Sequence, residues 1–262
     1  MDMASVAVVT GGASGIGRAV AARLAEDGFD LALIDLNEAQ AQDVAANLAR
    51  DGRRAVACRA DVTNRTTIAA AHDKIVDALG PVSVIVNCAG WSVVQPFLQN
   101  DEAFMQKAID VNLMGVIAVT RVFLDDIIAS KDGASKDGAS TDGASKGGRI
   151  VNIASDAGRV GSTGEVVYAA AKGGVIAFTK SLAREVARYG IAVNCVCPGP
   201  TATQMLLVQD PKRIDALTRA IPMRRLAEPE DIAGAVAFFA SPASAYITGQ
   251  VLSVSGGLTM AG

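Results

Sequence analysis

Residues 6–17 read Val-Ala-Val-Val-Thr-Gly-Gly-Ala-Ser-Gly-Ile-Gly, and this stretch decides the fold. Val6–Thr10 is a short, continuous apolar run rich in β-branched residues, the pattern of a strand covered on both faces. Glycines follow at positions 11, 12, 15 and 17, and a helical pattern runs from Gly17 to Asp27. Strand, glycine turn and helix in that order open a βαβ unit. A turn without side chains lets the backbone approach a pyrophosphate, and the helix after it offers N–H groups and the positive end of its dipole. Glycine-rich turns are common, so the spacing counts only because a strand precedes it and a helix follows.

The same rhythm continues outward. Further strand-like runs are Asp30–Asp35, Ala55–Ala60, Val82–Asn87, Arg149–Ala154, Ala192–Val196 and Val251–Val254. Between them lie helical stretches such as Glu38–Arg50, Thr66–Leu79 and Val166–Tyr189, rich in Ala, Leu, Glu and Arg. Unalternating apolar strands separated by helices predict a doubly wound α/β fold, a parallel sheet with helices on both faces. The chain of 262 residues is expected to form a single dinucleotide-binding catalytic domain over 1–262. One segment breaks the rhythm. Residues 131–147 contain DGASK-DGAST-DGASK, with almost nothing to bury, and read as a low-complexity surface loop insertion. It joins elements at the end of the sheet where strands begin, away from the usual ligand crevice, so a neutral insertion is preferred over a lid.

Composition narrows the partners. Half the residues are hydrophobic, 19% are charged, and the net charge is −3. No basic stripe points to nucleic acid. The four cysteines, Cys58, Cys88, Cys195 and Cys197, sit in or beside apolar runs without a CxxC pair, and read as buried free thiols. A single histidine, His72, reads as a surface residue and excludes a histidine-rich metal site. No basic, apolar leader precedes Ser5, and no apolar run reaches the roughly 18–20 residues of a membrane span. A soluble cytoplasmic protein without a metal is expected.

The second strand ends in Asp35, some twenty residues after the glycine turn. A carboxylate there accepts both hydroxyls of an adenosine ribose and repels a 2′-phosphate. Leu36, Asn37 and Glu38 follow, and Ser14 precedes Gly15, so no base welcomes that phosphate. NAD is favoured over NADP. Asp61-Val62 and Asn87-Cys88-Ala89-Gly90 end the third and fourth strands, where ligands bind in open α/β sheets. Singly, each is also compatible with ordinary turn chemistry.

Tyr168 and Lys172 stand four residues apart on a helical stretch, so they share a face. A free phenol has a pKa of about 10, and a neighbouring ammonium is expected to lower it. Ser155, thirteen residues upstream, could hold an alcohol or carbonyl oxygen at the same point. The three together read as a proton-transfer site.

These motifs together resemble the short-chain dehydrogenase/reductase family over the whole chain apart from the repeat. The resemblance rests on TGxxxGxG at Thr10–Gly17, the Asn-Ala-Gly region at Asn87–Gly90, Asn112, Ser155, Tyr168-xxx-Lys172 and Pro198-Gly199. Cys88 departs from the commoner second Asn. The resemblance implies a seven-stranded sheet in the order 3-2-1-4-5-6-7 and hydride transfer between NAD and a secondary alcohol or ketone. It implies Tyr168 as general acid/base, Lys172 as the residue that lowers its pKa and binds the nicotinamide ribose, and Ser155 as the holder of the substrate oxygen. Asn112 would steady a water relaying protons from Lys172. Gly11, Ser14, Gly15, Ile16, Gly17, Asp35, Leu36, Asp61, Val62, Asn87, Ala89, Gly90, Pro198, Gly199, Thr201 and Thr203 would line the cofactor with Tyr168 and Lys172. Thr201 stands where the family often has an aliphatic residue.

For the substrate, Trp91, Val94 and Phe97 follow the Asn-Ala-Gly motif, and Met205, Leu206 and Leu207 follow Pro-Gly. With Ser155 they either line an apolar pocket for a cyclic, aromatic or acyl group, or pack a lid on the core. Pro198–Leu207 and Thr248–Met260 are similar to family members that oxidise 2-hydroxycyclohexanecarboxyl-CoA. A 3-oxoacyl-thioester reductase is the alternative, and Asp35 argues against it because such reductases usually take NADPH. An NAD(H)-binding redox sensor is the non-enzyme alternative, against which Tyr168 and Lys172 both stand. The apolar run Val251–Met260 and the resemblance imply a homotetramer.

Overall fold

The computed structural model describes residues 5–49, 52–129 and 147–260. Strand β1 (Val6–Thr10) leads through the glycine turn into α1 (Gly15–Glu26). Then follow β2 (Asp30–Asp35), α2 (Glu38–Leu48), β3 (Ala55–Arg59), α3 (Arg65–Leu79) and β4 (Val82–Asn87). Helix α4 (Glu102–Ile109) passes through a π-helical turn, Asp110–Met114, into α5 (Gly115–Ala129). The second half holds β5 (Arg149–Ile153), α6 (Ala157–Val160), α7 (Val166–Val186) and β6 (Ala192–Pro198). Helices α8 (Gln204–Leu207), α9 (Pro211–Ala220) and α10 (Pro229–Ala240) precede β7 (Val251–Val254).

All seven strands pair in parallel, in the order β3-β2-β1-β4-β5-β6-β7. The sheet reverses direction between β1 and β4, so a crevice opens beyond their carboxyl ends. One core packs α1, α2 and α10 on one face of the sheet. The other packs α3, α5 and the end of α7 on the opposite face. This is the Rossmann-type α/β fold that the unalternating strands predict.

Local chemistry starts the helices where the sheet needs them. Asn37 accepts from the N–H of Gln40, Asn64 from Thr66 and Asp101 from Phe104, so three side chains satisfy orphan donors at α2, α3 and α4. Asp210 accepts from Lys212 at α9, with Pro211 in its first turn.

Some sequence expectations shift. The helix from Val166 ends at Val186 and finishes in a 3-10 turn to Tyr189, closed by Gly190 at φ +65°. His72 is not a surface residue: it is half-buried between Asp73 and Asp126, 3.0 Å from each, with its ring edge-on to Phe123. Cys58, Cys195 and Cys197 are buried free thiols, while Cys88 is only partly covered. Of the insertion at 131–147, all but Gly147 lies outside the described residues.

Candidate active site

The cofactor end is built around β1. Gly17 is required by sterics, because a Cβ there would stand 2.1 Å from the carbonyl oxygen of Gly11. Gly11 itself adopts φ +67° and lies against the backbone of Ala89. The turn therefore brings the end of β1 against the end of β4. Thr10 seals that contact, its hydroxyl accepting from the N–H groups of Cys88 and Ala89, both at 3.0 Å. Ser14 is the N-cap of α1 but makes no side-chain cap bond, and the first turn carries no acid. The N–H groups of Gly15, Ile16 and Gly17 thus face the crevice end of the helix without a side-chain partner, as a phosphate requires. A dinucleotide's pyrophosphate fits this cradle.

Asp35 closes the turn from β2. Its Oδ2 accepts from Ala13 N at 3.0 Å and its Oδ1 from Asn37 N at 2.9 Å. The carboxylate keeps lone pairs for a ribose. Leu36 beside it is exposed. Asp61 Oδ1 accepts from the N–H and hydroxyl of Thr63, which fixes the loop after β3, and Val62 packs against Gly115. Thr203 lies over Gly15, 3.2 Å from the place of its Cβ, so the segment after β6 folds across the glycine turn. Pro198 and Gly199 are held by Asp156 N and Val254 O, and Thr201 pairs with Ala227 and bonds Gly199 O.

At the other end of the crevice, β5 and α7 bring Ser155, Tyr168 and Lys172 together. Ser155 Oγ accepts from Ala157 N at 3.1 Å, and its hydroxyl is the group that draws the pKa of the Tyr168 phenol down. Lys172 is buried and its Nζ donates to Ile153 O at 2.8 Å, 5.7 Å from the centre of the Tyr168 ring. Gly90 leaves room between them and the turn: a Cβ there would lie 3.6 Å from Lys172 Nζ and 3.1 Å from Asn112 Oδ1.

The profile of the family described as enoyl-(acyl carrier protein) reductase matches residues 11–259. The (3R)-3-hydroxyacyl-CoA dehydrogenase of Homo sapiens is 38% identical over 98% of this chain and 96% of its own. The 2,3-dihydroxy-2,3-dihydro-p-cumate dehydrogenase of Pseudomonas putida is 36% identical over 97% and 94%. The 3-oxoacyl-(acyl-carrier-protein) reductase of Vibrio cholerae is 36% identical over 97% of each chain. The chain belongs to the short-chain dehydrogenase/reductase family. It is an oxidoreductase that interconverts alcohols and ketones, and it works with a nicotinamide cofactor.

Within this short-chain dehydrogenase/reductase, several side chains do other work than the sequence suggests. The phenol of Tyr168 is not brought below its ordinary value. Desolvation pushes it well above, the Ser155 hydrogen bond pulls it back, and Glu165, Cys88 and Cys197 push it further up. Burial also lowers the pKa of Lys172. Asn112 spends its side chain on the backbone, donating to Trp91 O at 2.7 Å and Ala108 O at 2.9 Å and accepting from Trp91 N at 3.0 Å. Both its amide hydrogens are used, so a water could be held only by its carbonyl. Asn87 turns its amide N–H groups into the sheet, donating to Thr120 at 3.0 Å and Asn152 at 2.8 Å, while its Oδ1 is buried without a partner among the described residues.

The crevice beside Tyr168 is narrower than the apolar pocket expected. Trp91 lines it, pinned by Phe104 with ring centres 5.1 Å apart and by Lys107, 4.2 Å from the indole centre. Val94 packs instead on Gly164. Met205 and Leu206 sit on α8, outside that lining, with Met205, Leu207 and Phe97 exposed. Sequence reasoning named Thr10 only within the glycine motif, and missed Ser92, Glu165 and Arg213. A polar residue closing an apolar strand marked Thr10, and a carboxylate three residues before Tyr168 marked Glu165.

Proposed function

We propose that this protein oxidises or reduces an apolar acyl thioester at its 3-position, using NAD(H), as one catalytic domain over 1–262. The observation that carries the reading is the convergence of Ser155, Tyr168 and Lys172 on the crevice that Asp35 and the glycine turn also reach. Bound NAD supplies the hydride acceptor, and its reduced form the donor. Tyr168 would take the hydroxyl proton in oxidation and return it to the developing alkoxide in reduction. Ser155 would donate to the same oxygen. Lys172 would hold the nicotinamide ribose and pass protons toward solvent through a water steadied by the carbonyl of Asn112. Asp35 supports NAD over NADP. Asp61, Val62, Ala89, Gly90 and the segment Pro198–Thr203 would line the cofactor.

The acyl class is supported by the names of the human and Vibrio relatives, and the cyclic class by that of the Pseudomonas relative. Exposed Leu252 and Met260 at the β7 end support burial by further copies, and we take the assembly as a homotetramer. Free thiols support a reducing, cytoplasmic setting. Among the described residues, no helix is long and apolar enough to cross a membrane.

The test follows reduced-cofactor absorbance with NAD and NADP against 3-hydroxyacyl-CoA, cyclic and aromatic alcohols. Turnover of 3-hydroxyacyl-CoA with NAD preferred is expected. NAD binding without turnover of any alcohol or ketone would revive the redox sensor.

A further inference from the structure

Among the described residues lining the crevice beside Tyr168, Glu165 alone is charged. It is the N-cap residue of α7, three residues before Tyr168, and lines the same crevice. Its carboxylate is held from two sides: Ser92 donates to Oε1 at 3.1 Å and Ser162 to Oε2 at 2.7 Å. Arg213 reaches over from α9, with Nη2 3.9 Å from Oε2 and 3.4 Å from the carbonyl oxygen of Thr163. The Nε–H of Arg213 is buried and, among the described residues, has no hydrogen-bond partner. The site wall therefore carries a fixed carboxylate and, behind it, a guanidinium with an unused donor.

We infer that Glu165, balanced by Arg213, determines the charge of the substrate this crevice accepts, taking neutral acyl derivatives and refusing free oxo acids. The inference rests on the acyl reading above and sharpens it. A ketone oxygen bonded to Tyr168 and Ser155 brings the acyl end of the substrate toward the wall that Tyr168 and Glu165 share. A thioester or ester carbonyl there is neutral and only has to avoid a steric clash. A carboxylate there meets a like charge in a partly desolvated wall, where repulsion is weakly screened. Arg213 offsets part of that repulsion. Glu165 thus acts on binding of the acyl end rather than on the reacting oxygen.

The probes are ethyl acetoacetate and acetoacetate, which share the ketone and differ by one charge. The readout is the ratio of their kcat/KM values with NADH. The wild-type ratio is expected to favour the ester. Glu165→Gln keeps an acceptor for the serines, leaves Arg213 facing the acid, and is expected to lower the ratio about tenfold or more, chiefly through KM of the acid. Arg213→Ala removes the balancing charge and is expected to raise it. Should Glu165→Gln fail to fold, Arg213→Ala alone carries the test. A ratio unmoved, within about twofold, in each folded variant overturns the inference while ester reduction by the wild type upholds the acyl reading. A wild type inert to both probes and to 3-oxoacyl-CoA overturns the acyl reading itself.

Discussion

The ammonium of Lys172 is bonded to the carbonyl of Ile153 at 2.8 Å and stands 5.7 Å from the centre of the Tyr168 ring. Strand β5 therefore anchors the lysine, and the charge faces Tyr168 from one helical turn away. Desolvation of the phenol outweighs the lowering effect of Ser155, so Tyr168 is protonated at neutral pH in the free protein.

A pH dependence follows with a definite sign. In the proposed mechanism the acid form of Tyr168 serves reduction, and the phenolate serves oxidation. In the free enzyme, kcat/KM for oxidation should climb with pH up to and beyond about 10, while reduction stays level or falls. Difference titration of phenolate absorbance between wild type and Tyr168→Phe should place Tyr168 above an ordinary tyrosine when no cofactor is bound. An ordinary or lowered value would contradict the desolvation argument.

Tyr168→Phe keeps the ring that packs on α7 and removes the proton carrier. Turnover should fall by about 10²–10⁴, with NAD affinity measured by calorimetry nearly unchanged. Activity close to wild type would remove Tyr168 from the chemistry.

Asp35 bonds Ala13 N within the glycine turn, and its proposed second task is to accept the ribose hydroxyls. Asp35→Ser should weaken NAD binding by about tenfold and narrow the preference over NADP. Titrating both cofactors checks this. Equal losses for both would assign Asp35 to the turn alone.

Gly17→Ala places a methyl 2.1 Å from the Gly11 carbonyl oxygen. The turn must open, at a cost of about 1–3 kcal/mol, and the cradle of N–H groups is lost with it. Lower thermal stability together with lost cofactor binding is expected. Unaltered affinity in a folded variant would show that the turn does not hold the pyrophosphate.

Asp231 accepts from Glu228 N at 2.8 Å at the start of α10 and pairs with Arg225, which holds its carboxyl below the usual range. A depressed folded pKa gives stability that is present above the unfolded value of about 3.9 and is lost as pH falls through the folded value. Asp231→Ala should therefore melt a few degrees lower at neutral pH, and the difference should shrink on acidification. A gap that persists in acid would assign the effect to packing.

Sequence alone determined the sheet. Unalternating runs such as Val6–Val9 and Val84–Val86 have to be covered on both faces, and the glycines at 11 and 17 follow from a backbone contact that tolerates no Cβ. The positions of Ser155, Tyr168 and Lys172 were legible because fixed spacing carries them, while strand order was legible only through the family resemblance. Tertiary structure decided how polar side chains were spent. Asn112 clamps Trp91, Asn87 turns toward Asn152, and His72 goes between two carboxylates, because each meets partners far away in sequence. The protonation of Tyr168 and the Glu165–Arg213 pair belong to that second class. Desolvation and long-range pairing depend on what packs around a group, and periodicity along a chain holds no record of that.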